Sequence, residues 1–226
     1  MLIEAVGHLQ AGRLAEARAA YKALTAAEPR NPLALHHLGI VEHQLGRSED
    51  GAALIRRALA LQPGNAHAHS DLAVILMALA RYGEAAEACR RAIALDANFA
   101  AAHSNLGDLM LRAGDHEAAE RAYAGAVAIE PGFAGAHAGR AEALAALGRL
   151  DEAEAASETA VRLAPGLARA HGARGQALYL RGEFTEAAAA FQDALRLDPK
   201  LALVHTRLGN ALHAEGRLED ALAARF

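Results

Sequence analysis

Apolar and small residues return every three to four positions along the chain and break at glycine or proline. In one stretch the stripe runs Ala85, Ala88, Cys89, Ala92, Ile93 and Leu95, a helical period. It predicts a helix from Gly83 to Leu95, with another before it from Ala66 to Leu79. The breaks keep a 34-residue clock: Pro29, Pro63, Pro131, Pro165 and Pro199, with Ala97 in the open slot. Glycines keep it too, at Gly12, Gly46, Gly114, Gly148, Gly182 and Gly216, with Ala80 in the open slot. Two further small-residue series run in phase. One is Ala17, Gly51, Ala85, Ala119, Ala153, Ala187 and Ala221; the other is Ala5, Gly39, Ala73, Gly107, Ala141, Gly175 and Gly209. Chance does not align four such series.

Each series has a physical task. Glycine ends the first helix, because it takes positive φ without a Cβ clash. An acidic residue four positions on (Glu16, Asp50, Glu84, Glu152, Glu186, Asp220) meets the positive end of the next helix. Proline stops that second helix. Small residues sit where helices cross. One helix pair cannot cover its own apolar face, so neighbours must stack. The repeats are read as 1–31 (partial), 32–65, 66–99, 100–133, 134–167, 168–201 and 202–226 (partial), one array over 1–226.

Composition agrees. Of 226 residues 62 are alanine and 33 leucine, which favours an all-α fold. Aromatics are 4% and tryptophan is absent, against a β-protein. A hydrophobic fraction of 53% excludes a disordered chain. So much alanine argues for close helix approach over a single large core.

Charge narrows the partners. With a net charge of −4 there is no basic excess for a phosphate backbone, so nucleic acid is not expected. The longest apolar run, Leu72 to Ala80, is nine residues, too short for a membrane span. Cys89 is the lone cysteine, which excludes an intramolecular disulfide. The first residues carry Glu4 and no basic run, so no secretory leader is read and a cytoplasmic location is expected. Arginine outnumbers lysine 21 to 2, a mark of high-GC coding.

The repeat resembles the tetratricopeptide repeat (TPR). One copy reads Leu106-Gly107, Gly114, Glu117-Ala118-Ala119, Tyr123, Ala126, Glu130-Pro131; another reads Gly175, Gly182, Glu186-Ala187, Phe191, Ala194, Asp198-Pro199. The resemblance covers the whole chain. It implies a TPR solenoid, a right-handed superhelix of antiparallel helix pairs, in which the first helices line a concave groove that binds a protein or extended peptide.

Carried onto this chain, the groove has three parts. The first holds Ser70, Asp71 and Val74, near a histidine-rich start. The middle holds Ser104, Asn105, Asp108 and Arg112. The last holds Glu142, Arg169, Gln176, Tyr179, Arg207 and Asn210. Such a surface suits a peptide, whose backbone finds side-chain partners and whose side chains find apolar patches. The family's clamp for chaperone carboxylates needs lysine and asparagine where Ser70, Ser104 and Ala138 stand, so chaperone tails are not expected.

The run from Phe99 to Leu106 is similar to copies in the repeat arm of O-linked N-acetylglucosamine transferases. The asparagine that recurs there corresponds to Ile3, His37, Asp71, Asn105, Gly139, Ala173 and Arg207, so only Asn105 matches. Both ends fall inside a repeat, and the last has no polar capping helix. The expectation is a longer protein. That gives a second reading: the substrate-presenting arm of a bacterial glycosyltransferase or sulfotransferase whose catalytic domain follows residue 226.

Chemistry is not found in the chain itself. It has no Gly-x-Ser-x-Gly, no phosphate-cradling loop and no Cys-x-x-Cys, so it is not expected to be an enzyme and no cofactor is expected. Five histidines, His69, His103, His137, His171 and His205, keep the same clock, which points to one packing role copied five times. His36, His43 and His67 are the remaining candidates for a metal or pH-sensitive site. Arg140 and Arg174 replace a usual leucine and must reach the groove or an acid.

Overall fold

The computed structural model describes residues 2–224. Met1, Arg225 and Phe226, which bear on the reading of the chain's ends, lie outside the described residues. Those described form fourteen helices in antiparallel pairs, with no strand among them. The pairs are α1 (Leu2–Gln10) with α2 (Leu14–Ala27), α3 (Pro32–Gln44) with α4 (Ser48–Leu61), and α5 (Ala66–Ala78) with α6 (Tyr82–Leu95). Then come α7 (Ala100–Ala113) with α8 (His116–Ile129), α9 (Ala134–Ala146) with α10 (Leu150–Leu163), α11 (Ala168–Arg181) with α12 (Phe184–Leu197), and α13 (Ala202–Ala214) with α14 (Leu218–Ala223). The all-α solenoid of helix pairs expected from the clock is therefore what the chain forms.

The chain divides into two compact units, Met1–Asn105 and Leu106–Phe226, with the division inside α7. Within each unit a helix packs on its pair-mate and on the next helix along the chain, and first helices also touch across pairs: α3 with α5, α9 with α11, α11 with α13.

Local chemistry explains the ends. Asn31 and Asn65 cap α3 and α5, accepting from Ala34 N at 3.0 Å and Ala68 N at 3.1 Å. Each such cap contributes about 1 kcal/mol. Asp115 caps α8 the same way, from Ala118 N at 3.0 Å. Three second helices use another device. The arginine before the helix reaches an acid in its first turn: Arg81 to Glu84, Arg149 to Glu152 and Arg217 to Asp220.

The six clock glycines lie at φ between +68° and +86°, and Ala80 follows them at +57°. A side chain there costs about 1–2 kcal/mol, while glycine costs about 0.5–1 kcal/mol in backbone entropy. Ala80→Gly is therefore expected to raise stability by about 0.5–1 kcal/mol, read as a higher urea midpoint for the first unit.

The core repeats with the clock as well. Tyr21, Ile55, Cys89, Tyr123, Ser157 and Phe191 are all fully buried, each one repeat on from the last. Their sizes follow the residue 16 positions earlier. Glycine stands before the large ones (Gly39 for Ile55, Gly107 for Tyr123, Gly175 for Phe191) and alanine before the small ones (Ala73 for Cys89, Ala141 for Ser157). A Cβ on Gly175 would stand 2.7 Å from the Phe191 ring. Ala5 before Tyr21 is the exception. Burying a ring such as Phe191 contributes about 1.5–3 kcal/mol.

Candidate functional site

In the second unit, the polar face of the first helices is organised around Tyr123. Its ring lies between two glycines: a Cβ on Gly107 would stand 2.7 Å from Cε1, and one on Gly139 would stand 2.3 Å from Cζ. Because Gly139 has no side chain, the ring comes up against the α9 backbone and its hydroxyl meets polar groups of α7 and α11. Tyr123 Oη donates to Asp108 Oδ1 at 2.6 Å. Arg169 Nη2 donates to Tyr123 Oη at 3.1 Å, and Arg169 Nη1 donates to Asp108 Oδ1 at 2.7 Å. The same guanidinium forks onto Glu142, with Nε to Oε1 at 3.0 Å and Nη2 to Oε2 at 2.9 Å. Burial pushes the Tyr123 pKa up, so the hydroxyl keeps its proton. Burial alone would lower the pKa of Arg169, but the bonds and charge of Glu142, with Asp108, raise it above the usual range. The four residues form one satisfied network across three repeats.

This changes the part played by several expected groove residues. Asp108 and Glu142, expected in separate parts of the groove, are brought together by Arg169, which engages both carboxylates. The signal for this contact was present in the sequence as a spacing of 16 between Tyr123 and Gly139. Tyr21 and His37 have the same spacing, and there Tyr21 Oη lies 3.0 Å from His37 Nδ1. Burial lowers the His37 pKa, the neighbouring His36 lowers it further, and Asp71 opposes them.

Three other expected residues converge further along. Gln176 from α11 and Arg207 and Asn210 from α13 line a depression of about 320 Å³, with Tyr179, Leu203 and Thr206. Arg207 is half-buried, and burial lowers its pKa while Glu142 partly restores it. No hydrogen bond or ion pair holds its guanidinium among the described residues.

In the first unit, Val74 is 41% exposed and Asp71 is partly exposed, while Ser70 and Ser104 are buried. Asn105 is half-buried, its Nδ2 3.5 Å from Ser70 Oγ. Arg112 is exposed on the part of α7 that belongs to the second unit.

The histidines part company. His36, His43 and His67 do not come together: His36 Nε2 donates to Asp71 Oδ2 at 2.7 Å, His43 Nδ1 lies 2.9 Å from Ser48 Oγ, and the His67 ring meets Phe99 edge-on. Among the described residues no group of three His, Cys, Asp or Glu side chains is arranged for a metal. The five clock histidines share one bond as well as one place. Each donates from Nε2 to the backbone carbonyl six positions earlier: Pro63, Ala97, Pro131, Pro165 and Pro199, at 2.8–3.1 Å. They tie the start of a first helix to the loop before it. Of the two arginines in leucine positions, Arg140 finds Glu120 of α8 at 2.9 Å, and Arg174 keeps a buried Nε with no hydrogen-bond partner.

Comparison with known proteins fits this geometry. A tetratricopeptide repeat model matches residues 4–66, 44–98 and 70–132, and another matches 110–177. A TPR repeat model matches 175–216. No curated protein matches the chain. Among solved structures, MamA is 28% identical, with a TM-score of 0.64 over 70% of this chain and 93% of its own. The Cut9 complex with Hcn1 from the APC/C is 18% identical, with a TM-score of 0.81 over 92% of this chain, which spans only 41% of that one. YrrB, described as a TPR protein with an unusual peptide-binding site, is 19% identical, with a TM-score of 0.66 over 87% of this chain and 98% of its own. The last two are likenesses of fold. With repeat models matching nearly end to end along helix pairs that recur on one clock, the chain belongs to the tetratricopeptide repeat family.

Proposed function

We propose that the chain is a non-catalytic scaffold that binds an extended segment of a protein or peptide along the face of its first helices. The reading takes the chain as one array of the seven units laid out above. The observation that carries it is the depression around Arg207. A half-buried guanidinium without a bond partner stands there beside the Gln176 and Asn210 amides, with Tyr179 and Leu203 supplying apolar walls. Amides serve a peptide backbone, the arginine serves an acidic or carbonyl oxygen, and the apolar walls hold a side chain. The remaining candidates, Ser70, Asp71, Val74, Ser104, Asn105 and Arg112, hold corresponding first-helix positions in the repeat register and are proposed on that register alone.

The alternative, a substrate-presenting arm of a glycosyltransferase or sulfotransferase, rests on Asn105. At the preceding slot Asp71 is bonded to His36, so no second member of an asparagine ladder supports it. No helix among the described residues is long and apolar enough to cross a membrane, and a cytoplasmic partner is the one proposed.

A synthetic peptide array probed with the whole chain tests the reading. Peptides that bind the native chain are expected to lose about tenfold or more in affinity, roughly 1.4 kcal/mol, with Arg207→Ala plus Asn210→Ala, at unchanged helical content. Equal binding by the double variant would remove the depression from the model.

A further inference from the structure

The depression around Arg207 lies between α11 and α13, and the equivalent cleft one repeat earlier lies between α9 and α11. There the chain closes the cleft with its own charges. Arg169 of α11 forks onto Glu142 of α9, at 3.0 and 2.9 Å, and takes both carboxylate oxygens. The repeat register aligns the two clefts. Gln176 stands where Glu142 does, Leu203 where Arg169 does, and Arg207 where Ala173 does. The later cleft keeps a cation, supplied from another slot, and has an amide at the place of the acid.

That cation finds no acid of its own. Arg207 is half-buried, and the charge that reaches it is that of Glu142, whose two oxygens are already held by Arg169. A guanidinium withdrawn from water without a carboxylate carries a desolvation cost, which a planar two-oxygen acceptor offsets. The residues along α13 say how that acceptor arrives. Leu203, 61% exposed, lies one helical turn before Arg207, and Asn210 lies about one turn after it. Contact groups thus flank the guanidinium on both sides, so a segment that passes it has residues to place at each. Such a segment offers Arg207 a side chain, not a chain end.

We propose that the depression is a subsite for an internal aspartate or glutamate side chain of the bound segment, held by the Arg207 guanidinium, with an apolar neighbour on Leu203 and Tyr179. This rests on the reading of the first-helix face as a peptide-binding surface, and it adds a requirement to that reading: an acid at one position with an apolar residue beside it. The planar fork of arginine suits a carboxylate better than a lone carbonyl, because two parallel bonds form. Gln176 is part of the selection. An acid in its place would compete for Arg207 from within the chain, whereas the neutral amide leaves the guanidinium to the partner.

The probes are pools of acetylated, amidated nonapeptides with a fixed central glutamate, glutamine or lysine and random uncharged residues elsewhere. A further pool has only uncharged residues and a free C-terminal carboxylate. Each pool is passed over the immobilised whole chain and the retained fraction is measured. The glutamate pool is expected to be retained about fivefold or more above the glutamine pool. The lysine and free-carboxylate pools are expected to do no better than the glutamine pool. Gln176→Glu, which supplies the acid from within, is expected to level the glutamate and glutamine pools, and so is Arg207→Ala, each at unchanged helical content. Equal retention of those two pools by the native chain overturns the subsite and leaves the peptide-binding face standing. A glutamate preference that survives Gln176→Glu and Arg207→Ala, or a free-carboxylate pool retained above the glutamate pool, overturns it as well. Retention of no pool by the native chain would overturn the face itself, and the subsite with it.

Discussion

Replacing Gly139 by alanine is expected to destabilise the second unit by about 2–3 kcal/mol, even though alanine is the better helix former by about 1 kcal/mol. The new Cβ would stand 2.3 Å from Tyr123 Cζ, 2.5 Å from Cε1 and 2.7 Å from Oη. The ring has nowhere to go. It is fully buried, Gly107 closes its other side, and its hydroxyl is held by Asp108 and Arg169. Either α9 moves off α8, or the tyrosine moves and its bonds to charged partners break. Overpacking typically costs about 1–3 kcal/mol and sometimes more, and a lost bond to a charged group about 1.5–3 kcal/mol. Urea unfolding followed by circular dichroism measures the loss. The coupling has its own test, because the next repeat places Ser157 between Ala141 and Ala173. Writing that set into this repeat, as Gly107→Ala, Gly139→Ala and Tyr123→Ser together, is expected to cost at least about 1 kcal/mol less than the three single losses summed. Strict additivity would show that the glycines are not there for the tyrosine.

That pairing marks the boundary of what the sequence could show. Features set by neighbours along the chain were open to reading. The glycine clock located every turn into a second helix, including the one that Ala80 makes, because a left-handed residue is a local requirement. The prolines located the second-helix ends for the same reason: α8 stops at Ile129, just before Glu130-Pro131. Gln176, Arg207 and Asn210, read from the same first-helix register, line one depression, whereas Ser70 and Ser104 from that register are buried. Contacts made through an absence were harder to see. Gly139 was counted as a missing asparagine, whereas its lack of a side chain is what lets Tyr123 reach Asp108 and Arg169. The histidines show the opposite limit. His36 and His43 share a helix face by spacing, but a helix face does not say which neighbour each ring turns to, and Asp71 and Ser48 took them separately.

The other large effect falls on α3 and α4, where the repeat pattern itself invites the wrong substitution. Gly51 occupies a slot that is alanine in every other copy: Ala17, Ala85, Ala119, Ala153, Ala187 and Ala221. Restoring the pattern with Gly51→Ala would ordinarily stabilise a helix by about 1 kcal/mol. Here it is expected to destabilise the first unit by about 3 kcal/mol. The added Cβ would lie 2.6 Å from the backbone oxygen of Gly39 and 3.3 Å from the backbone nitrogen of His43. The approach is mutual, since a Cβ on Gly39 would lie 2.8 Å from the Gly51 oxygen. Backbone atoms cannot rotate out of the way, so the two helices must part. Parting them lifts Ile55 off Gly39, where its Cγ1 now sits 2.6 Å from the point a Cβ would occupy. A repeat array opens locally, so the damage stays near its source. Hydrogen exchange is expected to quicken in α3 and α4 while α9 to α12 keep their protection. If Gly51→Ala instead leaves those amides protected, the pair can adopt the wider spacing of Ala73 and Ala85 at no cost. The double glycine would then be a neutral variant and not the condition for Ile55.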